Sequence, residues 1–119
     1  MHKVIIKIKG TERTIHFGYG SIRILGELWK IYTPSKIGAA VAKRLDIKDD
    51  QEPTFKQMGH LADLVLSGLI YADPGVKNQI NNDDVAEALL KSPETLIDIV
   101  NAFAQAMQQI VGPSGPKKK

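Results

Sequence analysis

The apolar residues of this 119-residue chain change their spacing from two to about 3.6 across one glycine-containing segment, residues 18–20. Before this segment, Val4, Ile6 and Ile8 alternate with the residues of a mostly basic second face. Side chains alternate across a strand with a period of two and return to the same face of a helix about every 3.6 residues. The change in spacing therefore predicts that a strand gives way to a helix at these glycines.

The two apolar runs before the glycines predict a β-hairpin. A two-residue loop at residues 10–11 is expected to form a type II′ turn, because its glycine readily adopts a positive φ. That turn places Ile6 opposite Ile15 and Val4 opposite Phe17, which gives the hairpin one apolar face. A two-stranded hairpin is only marginally stable in water, so we expect a helix to cover this face.

Capping residues and prolines mark the starts of the helices that follow. Ser, Thr, Asn and Asp side chains accept hydrogen bonds from the free amides of a first helical turn, and proline is favoured at the first helical position. Ser21 is accordingly interpreted as the cap of the first helix. The apolar stripe of that helix is Ile22, Leu25, Trp29 and Tyr32. Later helices are predicted to begin at Thr33-Pro34, at Thr54, at Asn81 or Asn82, and at Ser92-Pro93.

The predicted fold class is α+β and mostly α, with an N-terminal two-stranded β-hairpin followed by about five helices in a single small domain, residues 1–112. The helix from Thr54 to about Tyr71 carries more apolar residues than one stripe, which predicts that it is the central buried helix. Residues 46–53 are polar and are predicted to form a surface loop. Residues 113–119 have no apolar side chain to anchor them and are predicted to be a disordered basic tail.

Charge and cysteine content exclude several classes of protein. The chain has no cysteine, which rules out disulfides and thiolate metal sites. Its formal net charge is +3, and the three lysines at residues 117–119 account for all of it. The remaining body is formally neutral, so nucleic acid is not an expected partner. No apolar run approaches about 20 residues, and no signal peptide is recognised, so we expect a soluble intracellular protein with no transmembrane helix and no membrane partner.

The glycine pair in residues 18–20 invites comparison with a dinucleotide-binding loop. Such a loop has the pattern G-x-G-x-x-G and connects the strand and helix of a βαβ unit. Here Arg23 stands in the third glycine position, and the preceding strand belongs to a hairpin. We therefore predict no cofactor and interpret the glycines as a tight exit from the sheet.

The histidines offer little support for a metal site or for catalysis. His2, His16 and His60 fall on different predicted elements without the spacing of metal ligands, so no metal is predicted. The three-residue spacing of His60 and Asp63 would allow them to pair on one helix, but no nucleophile lies in a recognisable motif. We therefore predict no catalytic residue and no enzymatic activity.

The last predicted helix carries more apolar side chains than a small core requires. Its apolar residues recur at steps of three and four, and further apolar residues at positions 97, 99, 104 and 111 widen the surface. This surplus suggests contact with a partner chain, while a purely intramolecular core face remains the open alternative. The candidate protein-interaction residues are Leu96, Val100, Phe103, Met107 and Ile110.

Several segments together follow the order and spacing of a known family. They are the turn Gly10-Thr11-Glu12, the Phe17-Gly18 junction into Ile22-Arg23-Ile24-Leu25, the central helix, and the helix starts Asn82-Asp83-Asp84-Val85-Ala86 and Ser92-Pro93-Glu94-Thr95-Leu96. In these features the chain resembles the tail assembly chaperones of long-tailed bacteriophages and prophages. The resemblance covers nearly the whole predicted domain.

The resemblance implies a non-catalytic protein that acts in the cytoplasm of the host bacterium. It implies self-association into a homo-oligomer, binding of the long helical tape measure protein, and help in recruiting the tail tube protein. Members of this family are often made in a second, longer form by ribosomal frameshifting. An A-rich codon run for the lysines at 117–119 would provide a slippery site for such a frameshift.

A second functional class remains open beside the chaperone. A small adaptor or DNA-binding protein of phage or bacterial origin would use the basic tail and the lysines of the first strand. Lys3, Lys7 and Lys9 are predicted to share one face of that strand, which is the best support for this alternative.

Overall fold

The computed structural model describes residues 2–45 and 52–111 and confirms the predicted fold class within them. A two-stranded antiparallel hairpin is followed by five α-helices and a short 3₁₀ turn over Pro74–Asn78. The predicted tail and most of the predicted loop at 46–53 lie outside the described residues. The elements are β1 (His2–Ile8), β2 (Thr11–Phe17), α1 (Tyr19–Trp29), α2 (Pro34–Arg44), α3 (Phe55–Ala72), α4 (Asn82–Lys91) and α5 (Pro93–Val111).

The hairpin forms as predicted, but the predicted register and turn are wrong. Val4 pairs with Ile15, and His2 pairs with Phe17, so each strand partner is displaced by two residues from the expected position. The loop consists of Lys9 and Gly10, whose φ angles are 53° and 80°. Two positive φ angles in succession belong to a type I′ turn, which matches the twist of the flanking strands. Because the displacement is an even number of residues, the same side chains still face the core.

α3 is the central helix and lies directly on the hairpin. Gly68 makes the close approach possible, because a Cβ atom at this position would lie 2.5 Å from Cγ2 of Ile15 and 3.2 Å from Cε1 of Phe17. Both of these strand residues are almost completely buried. The helix begins with a capping box in which Thr54 Oγ1 accepts from the Gln57 amide at 3.0 Å and Gln57 Oε1 accepts from the Thr54 amide at 2.8 Å. The cap at Thr54 is therefore confirmed.

The first helix begins earlier than predicted, and Ser21 is not its N-cap. Gly18 occupies the cap position in extended conformation. The Ser21 hydroxyl lies in the first turn, where it accepts from the Gly18 amide at 3.0 Å and donates to the Gly18 carbonyl at 2.9 Å. The ring of Tyr71 packs on this segment, and a Cβ at Gly20 would overlap that ring. The absence of a side chain at Gly20 thus permits close packing between α1 and the Tyr71 ring of α3.

The remaining helix starts follow the predicted signals. Thr33 precedes Pro34 at the start of α2, and α5 starts at Pro93. The Asn81 side chain caps α4 by accepting from the Asp84 amide at 3.0 Å. α5 lies against β1, β2, α2 and α4, so the last helix completes the core around the first strand.

Two glycines of α3 provide a matched test of this packing. Gly68→Ala is expected to lower the free energy of unfolding by about 1–3 kcal/mol, because the new methyl group must displace Ile15 or the helix itself. Gly59→Ala is the control, since a Cβ at Gly59 meets no atom within 4 Å. Alanine there is expected to raise stability by about 0.5–1 kcal/mol through its better helix propensity. Urea unfolding of both variants measures the difference, and equal stabilities would contradict the close contact.

Candidate interaction surface

α5 divides the predicted interaction face between the core and the surface. Phe103 is only 6% exposed, and its ring meets Phe17 edge-on with 5.6 Å between centroids. Met107 is also buried. It packs against α2, where a Cβ atom added at Gly38 would lie 3.0 Å from the Met107 Cε. Leu96 and Ile110 are half-buried against the core. Four of the five candidate residues therefore pack within the chain, and the alternative of an intramolecular core face applies to them.

Val100 is the one candidate residue that lies on the surface of α5. It is 51% exposed, and Ile97, one turn earlier, is 66% exposed. Ala104, one turn later, is also exposed. Residues separated by three or four positions lie on the same face of a helix. We call Ile97, Val100 and Ala104 the outer α5 stripe, and it is an apolar helix face without a covering element in the described structure.

A groove between α1 and α2 is a second apolar surface, and the apolar spacing of the sequence did not predict it. α1 ends at Trp29 because Lys30 adopts a left-handed conformation with φ of 61°. The amides of Lys30 and Ile31 both donate to the Gly26 carbonyl, and the chain then turns back along the helix. A Cβ at Gly26 would lie 2.5 Å from the Ile31 carbonyl oxygen, so glycine permits this reversal.

The reversal explains why the predicted position of Tyr32 on the α1 stripe is wrong. Tyr32 lies beyond the helix end and is 76% exposed. Together with Tyr19 it borders the groove, whose apolar side chains include Ile22 and Ile37. The groove has a volume of about 190 Å³. We call this surface the α1–α2 groove.

A partly buried polar cluster holds four helices together around Asp63. One carboxylate oxygen of Asp63 accepts from Nε1 of Trp29 at 2.9 Å, and the other accepts from Nδ2 of Asn82 at 2.6 Å. Arg44 of α2 stacks over the Trp29 ring at 4.5 Å. His60 meets the same ring edge-on at 5.6 Å, and its Nδ1 is buried without a hydrogen-bond partner. Both Asp63 oxygens are thus used between helices, and neither accepts from His60 in the described contacts.

The basic face proposed for the first strand is smaller than expected. Lys3 and Lys7 are exposed on the outer face of the hairpin, but Lys9 lies in the turn. Lys7 is also directly opposite Glu12 in the strand register. The prediction that Lys9 shares the strand face with Lys3 and Lys7 is therefore wrong. The remaining cationic surface is partly neutralised by a cross-strand carboxylate.

Within the described residues, no group of three or more His, Cys, Asp or Glu side chains is placed to hold a metal ion. A second depression, of about 220 Å³, lies beside Arg13 and Asp73. Arg13 Nη2 donates to Gln79 Oε1 at 2.9 Å at this end of the molecule. Among the helices described, none is long and apolar enough to cross a membrane.

Comparisons of the chain with protein families, curated proteins and solved structures find no match. A function for this chain must therefore be inferred from its own surfaces, and the outer α5 stripe and the α1–α2 groove are the apolar ones described above.

The division of α5 into buried and exposed residues can be tested with two truncations. Phe103→Ala is expected to lower the free energy of unfolding by about 3–5 kcal/mol, because it removes a buried ring and leaves a cavity. Val100→Ala is the matched control and is expected to change stability by no more than about 0.5 kcal/mol. Thermal unfolding followed by circular dichroism distinguishes the two. A large loss for Val100→Ala would show that the stripe is part of the core.

The structural role of Asp63 is tested by removing its carboxylate. Asp63→Ala is expected to cost about 1–3 kcal/mol, because the Trp29 and Asn82 donors lose their acceptor in a partly buried site. Asp98→Ala on the exposed surface of α5 is the control and is expected to be nearly neutral. Denaturant midpoints measure both effects, and an unchanged midpoint for Asp63→Ala would contradict the role of the cluster.

Proposed function

We propose that this chain is a non-catalytic tail assembly chaperone of a long-tailed bacteriophage or prophage. In this proposal it self-associates in the host cytoplasm, holds the tape measure protein and assists assembly of the tail tube. The observation that supports it best is the outer α5 stripe, an apolar helix face left exposed beside a completed core. An amphipathic helix from a client can pack its apolar face against such a surface.

The environment of Asp63 supports the non-catalytic part of the proposal. A histidine and a carboxylate act as a base and its orienting group only when they are hydrogen-bonded to each other. Asp63 instead accepts from Trp29 and Asn82, which belong to neighbouring helices. This pattern is typical of a structural carboxylate that fixes helix positions.

Binding of a helical client tests the proposal directly. The probe is a synthetic amphipathic peptide with apolar a and d positions over about four heptads. The full chain is expected to bind it, and the double substitution Ile97→Ser with Val100→Ser is expected to weaken binding by about tenfold or more, since apolar contact area is lost. Fluorescence anisotropy of the labelled peptide measures the dissociation constant.

The control for this experiment is Leu28→Ser, which changes an exposed leucine of α1 outside the stripe. It is expected to leave peptide binding unchanged. Equal binding by the double variant and the wild-type chain would count against the outer α5 stripe as the client surface. Failure of the wild-type chain to bind this peptide would count against the chaperone proposal itself.

An adaptor or DNA-binding protein is the second candidate function, and exposed Lys3 and Lys7 on the hairpin favour it. Binding to duplex DNA should then weaken steeply with salt, because phosphate contacts release counterions. Replacing both lysines by alanine should reduce both the affinity and the salt dependence. No measurable DNA binding at low salt would exclude the DNA-binding form of this alternative.

A further inference from the structure

Phe55 is the most exposed large apolar side chain in the described structure. It is the first residue of α3 and is 95% exposed. The fold does not need a phenyl ring at this position, because Thr54 and Gln57 provide the capping hydrogen bonds and Met58 is the first buried residue of the helix. A phenyl ring that contributes nothing to its own core is a suitable anchor for contact with another chain.

The α1–α2 groove has the size and chemistry to receive such a ring. Pockets for small-molecule ligands usually enclose about 300–1,000 Å³. The groove, at about 190 Å³, is smaller and matches a single large side chain better. Its lining contains Ile22 and Ile37 together with the rings of Tyr19 and Tyr32, and all of its lining lies within residues 19–37. Phe55 of the same chain does not occupy the groove, since its side chain is almost fully exposed.

The charges around the two surfaces are complementary. Arg23 and Glu27 lie on the groove and form an exposed ion pair at 3.0 Å. Lys56 follows Phe55 and Glu52 lies three residues before it, and both of these side chains are exposed. Among the described residues, each surface thus carries one cation and one anion. Insertion of Phe55 can bring Lys56 toward Glu27 and Glu52 toward Arg23, so the contact does not require two like charges to meet.

We propose that Phe55 of one copy inserts into the α1–α2 groove of a second copy. This inference rests on the self-association included in the proposed function and assigns its interface. The contact joins two different surfaces, so each added copy still presents one free Phe55 or one free groove. Such a head-to-tail interface produces a ring if the rotation closes and a filament if it does not. Successive copies would then repeat the outer α5 stripe along an extended client.

Removal of the ring tests the inference. Phe55→Ser in the full chain is expected to raise the concentration needed for assembly by about tenfold or more, because a buried aromatic anchor is lost. Light scattering over a range of protein concentrations measures the mass. Leu90→Ser is the matched control, since Leu90 is also exposed but lies on α4, and its assembly should equal that of the wild-type chain. Assembly of Phe55→Ser at wild-type concentrations would overturn the inference.

Complementation identifies the two halves of the interface. Tyr32→Glu is designed to spoil the groove while leaving Phe55 intact, whereas Phe55→Ser leaves the groove intact. Each variant alone is expected to be monomeric, and their mixture should form a species of two chains and nothing larger. A mixture that stays monomeric would overturn the proposal, as would assembly by either variant alone at wild-type concentrations. Circular dichroism verifies that both variants are folded.

The peptide-binding assay separates this inference from the proposed function. Phe55→Ser should still bind the amphipathic peptide through the outer α5 stripe, although it no longer assembles. A wild-type chain that binds the peptide but stays monomeric at all concentrations would contradict the proposed Phe55 interface and would still support client binding. Assembly through Phe55 without peptide binding would support the interface and count against the chaperone role.

Discussion

The contact between α3 and the hairpin at Gly68 is the constraint on which the rest of the fold depends. A two-stranded sheet is too small to be stable alone, and its inner face must be covered at close range. The missing side chain at Gly68 lets Ile15 and Phe17 reach the helix backbone. Once α3 lies there, its other faces receive α1 and α4, and Asp63 links both of them through hydrogen bonds.

The fold could be predicted from the sequence because its signals are local and agree with one another. The alternation of the strands, the capping residues and the helix-starting prolines each fix an element without knowledge of its neighbours. The predictions of the hairpin turn and of the α1 start are wrong because the same residues are compatible with two local structures. A glycine at residue 10 fits either a turn over residues 10–11 or one over residues 9–10, and the second requires Lys9 to adopt an unfavourable positive φ. Ser21 has the chemistry of a cap, but α1 starts at Tyr19 with Gly18 as its N-cap, and the Ser21 hydroxyl bonds Gly18 from within the first turn.

The interaction surfaces were harder to predict because they depend on which apolar residues find partners. α5 carries apolar residues beyond a single stripe, so its periodicity does not distinguish Phe103 from Val100. Their different exposures follow from where the hairpin and α2 lie, which no local pattern specifies. The α1–α2 groove depends on the left-handed Lys30, a residue type with no preference for that conformation. The glycine at residue 26 was the only sequence signal of the reversal, and it resembles an ordinary helix glycine.

The position of α5 against the first strand has a consequence for synthesis of the chain. β1 ends at Ile8 and α5 begins at Pro93, so the ribosome makes the strand long before the helix that covers part of it. At about 5–20 residues per second, the interval lasts several seconds. During that time the inner face of the hairpin lacks part of its cover. A protein proposed to shield the apolar surface of another chain thus passes through a stage in which its own apolar surface is unprotected.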